Sequence, residues 1–187
     1  MDIILGSNSP RRKELLRQIG YQFTVVSPDI DENIDGVNLV DMVEKISLEK
    51  AKSLQTKYYG NLIICADTIV VVNDQHLGKP INKDDAFRMI KMLQNNVHQV
   101  YTAVTVVYLD NVYKFCVQTD VYVNDMDDEE ILEYISTDEP YDKAGGYGIQ
   151  GVFAKHIDRI DGDYYNVMGL PISRLDKLIK EIKKSHN

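Results

Sequence analysis

Two long runs of β-branched and aromatic residues, Val97–Leu109 and Val112–Val123, are separated only by Asp110 and Asn111. A chain can reverse in two residues only between neighbouring antiparallel strands, since a parallel partner needs a long crossover. The pair therefore predicts an antiparallel arm, and the other elements have to accommodate a sheet.

The remaining periodicities supply helices for that sheet. Leu39–Leu54 carries Leu39, Val43 and Ile46 on one stripe, which Lys50 continues. Further helices are predicted over Pro10–Ile19, stopped by Gly20, and over Lys83–Leu93, Asp127–Ile135 and Ile172–Lys184. Asp2–Leu5 and Tyr21–Ser27 are strand-like, Asn61–Val72 suits a central buried strand, and Asn73–Gln75 a turn into Leu77. No repeat, low-complexity tract or linker interrupts the 187 residues, so the chain is expected to be a single α/β domain, 1–187.

Charge narrows the ligand. A net charge of −8 argues against broad nucleic-acid or membrane-surface binding, both of which need a basic face. A small polyanion needs only a few focused cations or a metal ion. The longest apolar run, Leu62–Val72, is broken by Asp67 and Thr68 and is far shorter than the ~20 residues of a membrane span. No leader pattern opens the chain, so a cytoplasmic location is expected. Cys65 and Cys116 lie in strand-like runs and are expected to be buried and reduced.

The stretch "LGSNSPRRKELL" places Arg11, Arg12 and Lys13 at a helix start, where cations oppose the macrodipole. Ser9 suits the cap and Pro10 the first helical position. Such a turn points free N–H groups at an anion, Ser7, Asn8 and Ser9 add donors, and the arginines add forks suited to phosphate. A bound phosphate would reverse the sign of the problem. A solvated helix start, at a cost of a few tenths of a kcal/mol per cation, is the competing explanation.

Three further features bear on chemistry. Asp67 stands in the apolar run and needs a partner, a metal or a cleft mouth, which makes it a candidate base or metal ligand; a structural Asp accepting backbone bonds is the alternative. Lys50 on its apolar face and Lys79 in "LGKP" would complete the charge for a triphosphate, although snorkelling explains either one singly. Glu32, in the acidic loop Pro28–Gly36, is a candidate oxygen ligand for Mg2+. "AGGYGIQG" matches a dinucleotide fingerprint in spacing but neither follows a strand nor opens a helix. Its glycines suit close approach to a ligand, with Gln150 as an amide able to read a base. No Walker-type phosphate loop or zinc spacing is present.

"SNSPRRKELL", "ADTIVV", "LGKP", "YDKAGGYGIQG" and "NVMGLP", in that order, resemble the Maf family of septum formation inhibitor-like proteins, which are nucleoside triphosphate pyrophosphatases. The resemblance spans nearly the whole chain. It implies an α/β fold like that of the inosine triphosphate pyrophosphatases, a mixed twisted sheet with flanking helices and two lobes around a central cleft. It further implies a homodimer and a divalent metal, Mg2+ or in its place Mn2+, for which Asp67 and Glu32 are the ligand candidates given above. By position, Asp67 matches the family's proton acceptor. Ser7, Arg12, Glu32, Lys50 and Lys79 match substrate-contacting positions, and Arg11, Thr68 and Gln150 match positions tied to substrate choice. The "YGIQG" form resembles the branch acting on dTTP and UTP, as opposed to the 7-methyl-GTP branch. Phe153 and Ala154 depart from the small residues common there.

The implied reaction is hydrolysis of a nucleoside triphosphate to the monophosphate and pyrophosphate. Its rivals are a non-hydrolytic, nucleotide-binding regulator of cell division, which would gain little from Asp67, and nucleotidyl transfer, for which no acceptor site is evident.

Overall fold

The computed structural model describes residues 1–31 and 36–186. Strands β1 (Ile3–Gly6), β2 (Thr24–Val25), β3 (Leu62–Val72), β4 (Gln75–Leu77), β5 (Val97–Tyr108), β6 (Asn111–Val123) and β7 (Ile157–Asp161) form a mixed sheet. Their order is β2-β1-β3-β5-β6-β7, with β4 paired to β3. The helices are α1 (Pro10–Gln18), α2 (Leu39–Gln55), α3 (Lys83–Leu93), α4 (Asp128–Ile135), α5 (Tyr164–Val167) and α6 (Ile172–Ser185).

β5 and β6 do form the hairpin that their sequence demands. They are interior members of the sheet and not a projecting arm. The turn is Leu109–Asp110, one residue earlier than the sequence suggests, and Leu109 takes φ +53° to make it.

The chain divides into two compact units. The first comprises Met1–Asp67, Thr102–Val117 and Gly169–Asn187. In it β1 runs parallel to β2 and to β3, with Ile3 opposite Leu62 and Gly6 opposite Cys65. Ile4, Ala51, Leu54, Ile63, Cys65 and Val107 form one core cluster. Leu15 and Leu16 of α1 are fully buried, and α6 buries Ile172, Leu175, Ile179 and Ile182, one stripe of an amphipathic helix. Tyr21–Ser27 is a strand only at Thr24–Val25.

The second unit comprises Thr68–Tyr101 and Gln118–Met168. β4 closes a tight hairpin on β3 through Asn73 and Asp74, both at positive φ. α3 and α4 share a core with Val70, Val72, Val100, Val121, Tyr147 and Phe153. α4 starts on a full capping box: the Asp127 carboxylate accepts from Glu130 N–H while Glu130 accepts from Asp127 N–H. β7 pairs antiparallel with β6 across a bulge at Tyr122/Val123. The segment Glu139–His156 has no long helix or strand. It advances through 3-10 turns at Glu139–Asp142, Ala144–Gly146 and Val152–His156.

Candidate active site

The register of β1 on β3 brings together the candidate residues of the first unit. Pairing Gly6 with Cys65 sets Ser7, at the carboxyl end of β1, level with the residues leading into Asp67. Gly6 has to be glycine, because a Cβ there would run into the Cys65 sulfur and the Leu54 side chain. Carboxyl ends of parallel strands are where open α/β sheets bind ligands.

Ser9 caps α1, its hydroxyl accepting from Arg12 N–H at 3.5 Å. The Ser7 hydroxyl is buried and accepts from Ser9 N–H at 3.2 Å and from Arg12 Nη1 at 3.3 Å. Arg12 Nε donates to the carbonyl of Gly169 at 2.8 Å. The guanidinium is thus aimed by two fixed oxygens, and Gly169 gives the "NVMGLP" motif a physical task. Arg11 is half-buried beside it, Lys13 is half-buried, and Glu14 is exposed.

Asp67 is met from α2. Lys50 occupies the helix's buried stripe with Val43, Ile46, Ala51 and Leu54, as the spacing predicts. Its Nζ donates to Asp67 Oδ1 at 2.7 Å, with side-chain exposures of 10% and 15% for the two groups. Of the partners Asp67 requires, the structure supplies a cation. Lys50 and Arg12 also converge electrostatically. Burial pushes the Cys65 thiol up to about 12, and the two cations are the charges that pull it the other way. The first unit therefore holds a half-buried carboxylate paired to Lys50, together with the Arg12 guanidinium and a capped, N–H-bearing turn at the end of β1.

The second unit carries the other positions. Thr68 is half-buried in β3, whereas Lys79 and Gln150 are exposed. Their two loops are joined, for Gly145 N–H donates to the carbonyl of Gly78 at 2.9 Å. The glycine-rich loop is also fastened from beneath. His98 of β5 and the Tyr147 hydroxyl share a buried hydrogen bond of 2.6 Å. The Tyr134 hydroxyl donates to the carbonyl of Gly146 at 3.1 Å, and burial together with the Glu139 carboxylate raises its pKa. Phe153, the departure from the family pattern, is fully buried between Tyr134 and Tyr147, with ring centroids 5.0 and 4.8 Å away. The larger side chain is absorbed as an anchor.

Glu32 lies outside the described residues. Among the described residues no group of three or more His, Cys, Asp or Glu side chains comes together. Asp67 nevertheless suits magnesium, which takes one or two carboxylates and fills its octahedron with phosphate oxygens and water. Cys116 is half-buried, less enclosed than its apolar run suggests, while Cys65 is fully buried; both are free thiols. Glu139 and His98 escaped the sequence reading. An acid just ahead of a glycine-rich turn is the one signal that marks Glu139.

The family model for Maf-like protein matches residues 2–182. The chain belongs to the Maf family. Among curated Maf relatives, the dTTP/UTP pyrophosphatase of Thermosipho melanesiensis is 49% identical over 94% of this chain and 94% of its own. Proteins of the same name from a Thermoanaerobacter species and from Dictyoglomus turgidum are 45% and 44% identical, over 96% and 95% of this chain and 96% and 94% of theirs. Among solved structures, the Staphylococcus aureus Ham1 protein superposes with a TM-score of 0.48 at 14% identity, covering 66% of this chain and 72% of that one. That overlap is too loose to carry an argument about chemistry.

Proposed function

We propose that this Maf protein hydrolyses dTTP and UTP to the nucleoside monophosphate and pyrophosphate, with Asp67 as the base. The observation that carries this reading is the Lys50–Asp67 pair, a carboxylate that a purely anion-binding site would not need. The printed names of the relatives, matched over nearly the whole chain, support the same reaction and the same substrates.

In the proposed reaction a water oxygen attacks the α-phosphorus and the bond from that phosphorus to the bridging oxygen breaks. Pyrophosphate then leaves. Asp67 orients the water and takes its proton, while the Lys50 ammonium offsets the repulsion between this carboxylate and a polyanion. Arg12, aimed by Ser7 and Gly169, binds phosphate oxygens together with the N–H groups of the turn before α1, and Arg11 adds charge. Lys79 is assigned to the phosphates, Gln150 to the base, and Thr68 and Arg11 to substrate choice, following the family's motif positions. Mg2+, with Mn2+ as substitute, is the proposed cofactor, held by Asp67 and Glu32. When bound it neutralises phosphate charge and lowers the pKa of a coordinated water.

The working form is proposed to be a cytoplasmic homodimer that binds neither nucleic acid nor membrane. The net charge of −8 supports the last two exclusions. Among the described residues no helix is long and apolar enough to cross a membrane.

The test is pyrophosphate release by the purified protein with Mg2+ from dTTP, UTP, CTP, GTP and 7-methyl-GTP. Release from dTTP and UTP in preference to the others is expected. Release from none of them sinks the proposal.

A further inference from the structure

The glycine-rich loop needs something to hold it open toward a ligand. Gln150 and Gly151 are exposed at its tip, and the 3-10 turn that follows, Val152–His156, has a glycine at its cap and so no side chain there to serve its first amides. Its first amides are served from elsewhere in the chain. Glu139 Oε2 accepts from Val152 N–H at 2.7 Å and Oε1 accepts from Phe153 N–H at 3.4 Å. The Tyr134 hydroxyl lies 3.3 Å from the same Oε1. Gly151 packs so closely on this carboxylate that a Cβ would collide with it.

Glu139 is itself held from both sides. It opens its own 3-10 turn, separated from α4 by Ser136, Thr137 and Asp138, and its carbonyl accepts from Lys143 Nζ at 2.7 Å. Lys143 also lies against Gly148, at the other end of the exposed tip. The tip from Gly148 to Gly151 is thus bracketed by Tyr147, anchored on His98, and by Val152 and Phe153, anchored on Glu139. Gln150 is the polar side chain presented between the brackets.

We propose that Glu139 is a positioning residue for nucleotide recognition, its carboxylate pinning the amides of Val152 and Phe153 and so setting the direction in which Gln150 meets the base. This rests on the assignment of Gln150 to the base made above. Charge-assisted bonds to backbone N–H groups are short and strong, and they keep a glycine-rich segment from sampling the conformations its residues otherwise allow. Loss of the pin costs the substrate the ordering of the loop on binding, which appears in KM; the proton transfer at Asp67 is untouched.

The experiment compares the full-length wild type with Glu139→Ala and Glu139→Gln, with Mg2+ present, well below the thermal midpoint of each variant. Glutamine retains one acceptor but sets an amide donor against the other N–H, so it is expected to fall between the two. For Glu139→Ala, KM for dTTP and UTP is expected to rise about tenfold, the factor corresponding to one charge-assisted hydrogen bond at the low end of its range. The turnover number should stay within about twofold. Inhibition by pyrophosphate, which has no base, should be unchanged, and hydrogen exchange at Val152 and Phe153 should quicken. An unchanged KM in both variants overturns the proposal, as does pyrophosphate inhibition weakened by the same factor as KM. If the wild type turns over neither nucleotide, the proposed reaction fails. The positioning role is then read from calorimetric affinity for dTTP with Mg2+, and equal affinity in wild type and Glu139→Ala overturns it.

Discussion

Lys50 Nζ donates to Asp67 Oδ1 across 2.7 Å, joining the one charged residue in the buried stripe of α2 to the carboxylate that interrupts β3. Neither group is stable alone in so apolar a setting, and their meeting explains why each is tolerated. It also places a positive charge beside the proposed base, where an approaching triphosphate would otherwise face a bare carboxylate.

Asp67→Asn separates chemistry from binding. Asparagine still offers Lys50 an oxygen but cannot take a proton, so turnover should fall by roughly 10^2–10^4-fold, the usual contribution of a general base. Nucleotide affinity measured without Mg2+ should hold or tighten, because a negative charge has left the polyanion's surroundings. Steady-state kinetics and calorimetry on the same preparation check both halves, and near-normal turnover removes Asp67 from the base role.

Lys50→Met strands the Asp67 carboxylate, which keeps only 15% of its side-chain exposure. Breaking a buried pair from one side costs about 3 kcal/mol, the low end of the range because some solvent reaches the group. Adding Asp67→Leu should recover most of that loss, since the uncompensated charge has gone. Urea unfolding of the two single variants and the double variant gives the cycle. A double variant less stable than Lys50→Met contradicts the pairing argument.

Those two residues show what a sequence can and cannot disclose. Asp67 and Lys50 each announce themselves as charges in apolar periodicities, but their contact depends on how α2 lies over β3, which no local pattern records. α3 is legible to the residue because Asn82 caps it and its stripe is complete. β7 is not, because "IDRID" sets two charged residues between its isoleucines and so lacks the period-two alternation that marks a strand. Tyr21–Ser27 reads as a strand by composition and pairs over only two residues. Arg11 and Arg12 look alike in sequence, yet only the fold reveals that Gly169, far along the chain, aims Arg12. The hold of Glu139 on the glycine-rich loop is of the same kind, a carboxylate on distant backbone amides that only its place ahead of a glycine-rich turn hints at.

The two thiols give a check on burial. Burial pushes Cys65 up to about 12 and Cys116, half-buried and near Glu44, up to about 11. Since the thiolate is the reactive form, neither should be modified appreciably by a disulfide reagent near neutral pH while the protein is folded. Both should react in denaturant. Fast modification of Cys65 in the native protein contradicts the close packing of Gly6 on β3.

Gly145→Ala should weaken the second unit. Gly145 sits at φ +70°, and an added Cβ would press on the Val70 side chain at 2.9–3.0 Å. The left-handed conformation costs about 1 kcal/mol for alanine and the overpacking about 1–3 more. Gly20→Ala is the control, since its φ of +84° carries the same conformational cost with nothing within 4 Å. Chemical denaturation should therefore rank Gly145→Ala as the more damaging. Because Gly145 N–H donates to the Gly78 carbonyl, the change should also disturb the loop carrying Lys79. Equal losses for the two variants contradict the packing of Gly145 on Val70.

The acid limb of stability should carry a histidine signature. His98 is fully buried on β5, and burial lowers its pKa from 6.5 to about 3 against a small opposing pull from Asp120; burial also lowers that of His156. Below the ordinary histidine value the unfolded chain takes up a proton that folded His98 refuses. Its contribution is whole above about 6.5 and drains away as pH falls toward about 3. The carboxylates held low by partners, Asp41, Asp85 and Asp176, start from an ordinary value of 3.8 and lose their contribution only in stronger acid. Urea unfolding between pH 6.5 and about 4.5 therefore isolates the histidines. His98→Gln removes the titration and keeps an amide facing the Tyr147 hydroxyl, so its stability should fall less steeply over that range, with the residual slope due to His156. An identical slope in wild type and variant means that His98 takes up its proton in the folded state, which its closed position against Tyr147 forbids.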